Sequence, residues 1–145
     1  MGLLVNIITA YEDEIEAIGA AEYPAEQWGG IEAREIDTEK LATLHCLLTD
    51  DDFEQAQSAY EPVFVAEDEG VVVVQIPDQI VNKLALLEEE AIELVGNELA
   101  ATEAFEIQGW AVEEVQALVV ELGELARLAE SQGQTMFVWM HPLRT

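Results

Sequence analysis

The sequence predicts a single α+β domain over residues 1–145, with one mixed or antiparallel sheet of about four to five strands covered by two long amphipathic helices. The length of 145 residues matches one domain, and 50% of the residues are hydrophobic, enough to form a core. Short β-branched segments lie near both ends and in the middle, whereas two long segments have helical spacing. Strands and helices do not alternate regularly, which argues against a doubly wound fold.

The first quarter of the chain is predicted to hold two strands separated by a helix and a loop. Residues 3–9 are apolar on both faces, as expected for a central strand. Residues 11–20 predict a short helix, and the Pro- and Gly-containing residues 23–30 predict a loop. Residues 31–36 alternate weakly and predict a second strand.

Two consecutive helices are predicted next. Asp37 or Thr38 is a suitable N-cap for the first. Its apolar face has helical spacing and consists of Leu41, Leu44, Leu47 and Leu48. Thr49 is predicted to begin the second helix, which runs to about Tyr60. Three aspartates would then lie at the positive end of its dipole, namely Asp50, Asp51 and Asp52.

The middle of the chain carries the clearest β signal. Residues 62–66 and 71–76 are rich in valine and flank the polar segment 67–70, which ends in Gly. This pattern predicts a β-hairpin. Residues 135–140 are apolar on both faces and predict a final strand.

The two long helices are predicted over residues 78–95 and 112–131. Asp78 would cap the first, whose core stripe is Ile80, Leu84, Leu87, Ala91 and Leu94. Continuing that stripe would bury Glu98, so we predict a break at Gly96, with Asn97 capping a new short helix. The stripe of the second long helix consists of Val115, Leu118, Val119, Leu122, Leu125, Ala126 and Ala129.

The charge of the chain excludes several classes of function. The 31 acidic residues outnumber the five Lys and Arg residues, and the net charge is −26. Binding of nucleic acid through its phosphates and docking on an anionic membrane are both disfavoured. The N-terminal residues lack a basic signal-peptide region, and no apolar stretch approaches the ~18 residues of a transmembrane helix. We therefore expect a cytoplasmic protein.

Motifs for catalysis, cofactors and metals are not found in the sequence. Ser58 and Ser131 lack a nucleophile-elbow context, and no glycine-rich phosphate loop occurs. Cys46 is the single cysteine and lies in an apolar run, which indicates a small buried hydrophobe rather than a reactive thiol. Its neighbour His45 would point about 100° away on a helix, so the two side chains could not act together as nucleophile and base. With His141 as the only other histidine, no metal-ligand spacing exists, and we predict no catalytic residues, no cofactor and no metal.

The interpretation we favour is a non-enzymatic acidic protein-interaction module that binds a basic partner, as an inhibitor, antitoxin or immunity protein does. Complementary charge speeds such an association and disfavours wrong partners. Trp28 lies between Pro24 and two glycines, where it is either tucked over the sheet edge or a binding hot spot. The predicted partner contacts are Trp28, the helix start Asp50, Asp51 and Asp52, and the hairpin tip Glu67, Asp68 and Glu69.

Other interpretations remain open at this point. The acidity can serve solubility alone, since 24 of the 31 acids are the helix-favouring Glu. A second open interpretation is an enzyme that uses carboxylates for catalysis, because so many acids offer numerous possible carboxylate pairs. Partial mimicry of nucleic acid is a third, although the acids are spread over the whole chain rather than concentrated as phosphates are. Exposed strand edges at residues 63–65 or 137–139 could also pair two copies into a homodimer.

Overall fold

The computed structural model describes residues 3–49, 51–66, 70–107 and 109–142. It contains one antiparallel five-stranded sheet with the order β2-β1-β5-β4-β3, which confirms the predicted α+β class. The strands are β1 (Leu4–Ala10), β2 (Gly30–Arg34), β3 (Pro62–Val65), β4 (Val72–Gln75) and β5 (Thr135–His141).

Helices connect these strands, and a 3₁₀ turn at Glu12–Glu14 precedes the first of them. The helices are α1 (Ile15–Ala20), α2 (Pro24–Trp28), α3 (Thr38–Leu48), α4 (Phe53–Ser58), α5 (Asp78–Ala85), α6 (Glu89–Ala100), α7 (Glu103–Glu106) and α8 (Val112–Gln132). None of these described helices is long and apolar enough to cross a membrane.

The sheet is covered on both faces, which explains why its central strands are apolar on both sides. β1 and β5 pair along their full lengths at the centre, from Leu4 opposite His141 to Ala10 opposite Thr135. One face packs with α3, α5, α6 and α8 in the larger core cluster. The other face contributes Ile8, Phe137 and Trp139 to a smaller cluster beneath α1 and α2. The two long helical segments therefore cover only one of the two faces.

The predicted helix 78–95 is divided in the structure. α5 ends at Ala85 and α6 begins at Glu89. The side chain of Arg127 on α8 stabilises the break, since its Nε donates to the Ala85 carbonyl (3.2 Å) and its Nη2 to the Leu87 carbonyl (2.8 Å). Carbonyls at a helix end need such partners. The break also rotates the apolar stripe, and Leu94 is 59% exposed instead of lying in the core.

The predicted break at Gly96 is wrong, because α6 continues through Gly96 and Asn97 to Ala100. A Cβ atom at Gly96 would lie 2.6 Å from Cγ of Gln116 on α8. The glycine therefore allows two helices to approach closely and does not end one of them. Glu98 is exposed on this continuous helix, so its carboxylate is not buried.

Three other local predictions are corrected. The segment predicted as a loop at 23–30 contains helix α2, with Pro24 at its first position, where the fixed φ of proline fits a helix. Thr49 is the C-cap of α3, and Asp52 is the N-cap of α4. Residues 137–139 form no edge, because β5 pairs with β1 on one side and β4 on the other. The edge strands are β2 and β3.

At Gly30 the edge strand β2 approaches the backbone of β1 closely, which leads to a testable prediction. A Cβ atom there would overlap the backbone carbonyl oxygen of Ile7 on the paired strand β1. Because a strand backbone cannot retreat without disturbing the pairing, Gly30→Ala should lower the free energy of unfolding by about 1–3 kcal/mol. Urea denaturation measures this change. Glu32→Ala on the same strand is the control, and equal small effects of both variants would contradict the prediction.

Candidate functional site

The carboxylates form an open, solvent-facing surface. Of the 31 acids, 27 lie in the described residues, and none of these is buried. Glu14, Glu35 and Asp37 are half-buried, and the others are exposed. Each of the described helices carries at least one acid, and α6 and α8 carry the most. The negative potential therefore surrounds the molecule.

The few cations do little to neutralise this surface. Lys40 is only 3% exposed, and its Nζ lies 3.9 Å from Oδ2 of Asp37 and 5.7 Å from the centroid of the Phe105 ring. Arg127 donates to the carbonyls of Ala85, the last residue of α5, and of Leu87. Five cations cannot pair one to one with 31 acids, and two of them are already committed within the fold. Most carboxylates are thus available to an external positive charge.

The predicted contact residues that the structure describes lie at opposite faces of the sheet. Trp28 is half-buried and packs against the smaller core cluster. Asp51 and Asp52 lie between α3 and α4, which contribute to the larger cluster on the opposite face of the sheet. The remaining four predicted contacts are outside the described residues, namely Asp50, Glu67, Asp68 and Glu69.

Trp28 is held by a carboxylate. Its Nε1 donates to Oε2 of Glu14 at 2.9 Å, and the Tyr11 backbone N–H donates to Oε1 of the same residue at 2.9 Å. These two hydrogen bonds, the indole one first, lower the pKa of Glu14. The indole is therefore fixed over the sheet by the hydrogen bond of its nitrogen as well as by the packing of its ring.

Replacing this indole should change the titration of Glu14. Trp28→Phe keeps an aromatic ring but removes the N–H donor, so the pKa of Glu14 should rise towards its ordinary value. A lowered pKa adds stability above the unfolded-state pKa, and this stability is lost as the pH falls through the folded-state pKa. The free energy of unfolding of the variant should therefore fall less than that of the wild type as the pH drops through this range. NMR titration of the Glu14 carboxyl tests this, and Trp110→Phe, which should leave that titration unchanged, is the control.

A hydrogen-bonded cluster, buried except for Asp51, lies where α3 meets α4. Nε2 of His45 is 2.8 Å from Oδ2 of Asp51, and its Nδ1 is 3.1 Å from the Tyr60 hydroxyl. A carboxylate can only accept, so Nε2 carries the proton, and in the neutral ring Nδ1 accepts from Tyr60. The hydroxyl of Thr49 completes the turn by donating to the His45 carbonyl and accepting from the Asp51 N–H.

The hydrogen bonds of this cluster serve a structural role. Both ring nitrogens of His45 are occupied within the protein, so a substrate would have to displace one partner. Burial raises the pKa of Tyr60, with a smaller contribution from Cys46 when its thiol is ionised, and keeps the hydroxyl protonated. Burial, followed by Asp51 and Asp52, raises the pKa of Cys46, which disfavours a thiolate. No periodicity links positions 45, 51 and 60, which explains why the sequence did not reveal the cluster.

A groove runs between the edge strand β2 and helix α8. It encloses about 400 Å³ and is lined by Gly29, Gly30 and Ile31 on one side and by Glu121, Glu124, Leu125 and Leu128 on the other. Leu128 is 41% exposed, whereas Leu125 is nearly buried. The groove thus combines an apolar floor, two carboxylates on its helical wall and the open edge of a sheet.

A second groove of about 550 Å³ lies at the junction of α5 and α6. Its lining is mostly apolar and includes Leu86, which is 70% exposed, but it also contains Lys83, Glu88 and Glu90. Within the described ranges, no group of three or more His, Cys, Asp or Glu side chains is arranged to hold a metal ion.

No known protein family, curated protein or solved structure matches this chain significantly.

Proposed function

We propose that this protein is a non-enzymatic acidic interaction module that binds a basic protein partner, in the manner of an inhibitor, antitoxin or immunity protein. One observation carries the proposal: the described acids all reach solvent, while Lys40 is buried beside Asp37 and Arg127 donates to backbone carbonyls. The surface is therefore left with a large excess of unneutralised carboxylates. Such a surface attracts a basic protein from a distance and repels acidic ones.

The grooves support binding over solubility alone. A surface that only prevents aggregation needs charge and few exposed apolar side chains. Here Leu128 and Leu86 are exposed beside concave surfaces that also carry carboxylates. An apolar centre with a charged border is the usual composition of a protein-binding surface.

Capture of the partner from a lysate of the source cell tests the proposal. The immobilised protein is incubated at about 50 mM and about 500 mM salt, which changes the screening length roughly threefold. We expect a basic protein that is retained only at low salt. The identified partner is then purified, and stopped-flow mixing should show an association rate that falls steeply with ionic strength.

Two variants of equal net charge separate a defined interface from ion-exchange adsorption. One carries Gln at the five exposed glutamates of α8, and the other carries Gln at five exposed glutamates of α6 and α7. Gln keeps the side-chain length and the carbonyl acceptor. A defined complex should be weakened unequally by the two variants. Equal weakening, or the absence of any stoichiometric complex, would contradict the proposal and leave solubility as the role of the charge.

A further inference from the structure

We infer that the groove between β2 and α8 binds an extended basic peptide segment of the partner by adding it as a sixth strand to the sheet. This inference rests on the proposed function and specifies its binding mode and surface. It draws on three observations: an open strand edge, an apolar floor and a wall that carries two carboxylates.

The open edge belongs to β2. This strand lies at one end of the order β2-β1-β5-β4-β3, and it pairs with β1 alone among the described strands. An edge strand presents a row of N–H and C=O groups to which another chain can add. A groove with an edge strand on one side and a helix on the other accommodates such a strand, whose main chain bonds to the edge while its side chains contact the helix.

The other edge is less suited to strand addition. β3 begins with Pro62, which has no N–H to donate, and its pairing with β4 shifts register between Pro62 and Phe64. Short strands, prolines and bulges are the devices by which proteins protect an edge. β2 has five residues and a regular register from Gly30 to Arg34.

The alternation of β2 indicates which side chains of the added strand meet α8. Ile31 and Ala33 pack with the larger core cluster on the α8 side of the sheet. Every second side chain of an added strand therefore points to the same side, where Glu121, Glu124 and Leu128 form the wall. Lysine or arginine at these positions would reach the two carboxylates, and apolar side chains would cover Leu128.

Charge decides between a basic partner and a second copy of this chain. The described lining of this groove contains two carboxylates and no cation, whereas in the groove at the α5–α6 junction Lys83 accompanies the two carboxylates of Glu88 and Glu90. A second copy would bring another net charge of −26 against the first. Like charges at an interface are unfavourable, so a basic strand fits this surface better than a copy of the chain does.

The probe for the test is an acetylated and amidated hexapeptide of alternating lysine and valine, titrated into the ¹⁵N-labelled full chain. Amide shift changes should centre on residues 30–34 of β2 and 121–128 of α8. The double variant Glu121→Gln with Glu124→Gln should bind the peptide about 3–10-fold more weakly, the range expected for losing two exposed charge contacts. The control variant Glu89→Gln with Glu93→Gln on α6 has the same net charge and should show a smaller loss.

Main-chain pairing is tested with two N-methylated forms of the same peptide. One is methylated at its odd residues and the other at its even residues. Because alternate N–H groups of a strand point to opposite edges, only one form should lose binding. Equal binding of both forms, equal losses in the two double variants, or shift changes centred elsewhere would each overturn the inference.

Failure of this inference can be told apart from failure of the proposed function. If the cellular partner forms a defined complex that is insensitive to the Glu121 and Glu124 variant, the proposed function stands and this surface is wrong. If no basic partner forms a defined complex, the proposed function fails, while the peptide titration still reports on the groove.

Discussion

Leu99→Ala is expected to lower the free energy of unfolding by about 2–5 kcal/mol, whereas Leu94→Ala should change it by less than about 0.5 kcal/mol. The two leucines lie on the same helix, α6, and lose the same atoms. Leu99 is 0% exposed in the larger core cluster, but Leu94 is 59% exposed. Truncating a buried leucine loses transfer free energy and leaves a cavity, and truncating an exposed one does neither.

This pair of variants also tests the helix break between Ala85 and Glu89. An uninterrupted helix over residues 78–95 would place Leu94 on the buried stripe, and Leu94→Ala would then be strongly destabilising. Urea denaturation followed by tryptophan fluorescence measures both changes, since Trp139 is fully buried in the central strand. A large effect at Leu94 with a small effect at Leu99 would show that the break, and the rotation it produces, are wrong.

His45→Ala is the second large expected effect, a loss of about 2–4 kcal/mol in the free energy of unfolding. The variant removes a buried ring and leaves the hydroxyl of Tyr60, a residue that is 3% exposed in the wild type, without its acceptor. Asp51 loses its partner as well, although it is exposed and can be solvated. The larger part of the effect therefore comes from the cavity and the Tyr60 hydroxyl.

A double-mutant cycle isolates this hydrogen bond. Tyr60→Phe should cost about 0.5–1.5 kcal/mol, and its effect should shrink in the His45→Ala background by at least about 0.5 kcal/mol because the acceptor has already gone. Additive effects would mean that the two side chains do not interact. A His45→Ala variant as stable as the wild type would remove the structural role assigned to the cluster and reopen a chemical role for it.

The fold class and most elements could be predicted from local patterns. Residues 3–9 and 135–140 are apolar on both faces, and both form central strands, because such segments need cover on two sides. The N-cap at Asp37 and the helix over Val112–Gln132 also follow from local signals. The predictions failed where one segment depends on another. Gly96 looks like a helix end in isolation, but it is required by the proximity of Gln116.

The candidate site was harder to predict than the fold. The acidity and its exposure are already evident from the sequence, since unpaired carboxylates cannot be buried. The sequence alone also established that phosphate-binding functions are disfavoured and that known catalytic motifs are not found. The position of the groove was not accessible, because Ile31 and Glu124 are far apart in the chain and meet only when α8 packs across the sheet.

The net charge of −26 is thus a property of the sequence, and the tertiary structure alone determines where that charge borders an apolar surface. Charge and periodicity are local and additive, so they can be counted along the chain. Edges, grooves and the partners of His45 arise from contacts between distant segments. Those contacts depend on the packing of the whole core, which no local pattern records.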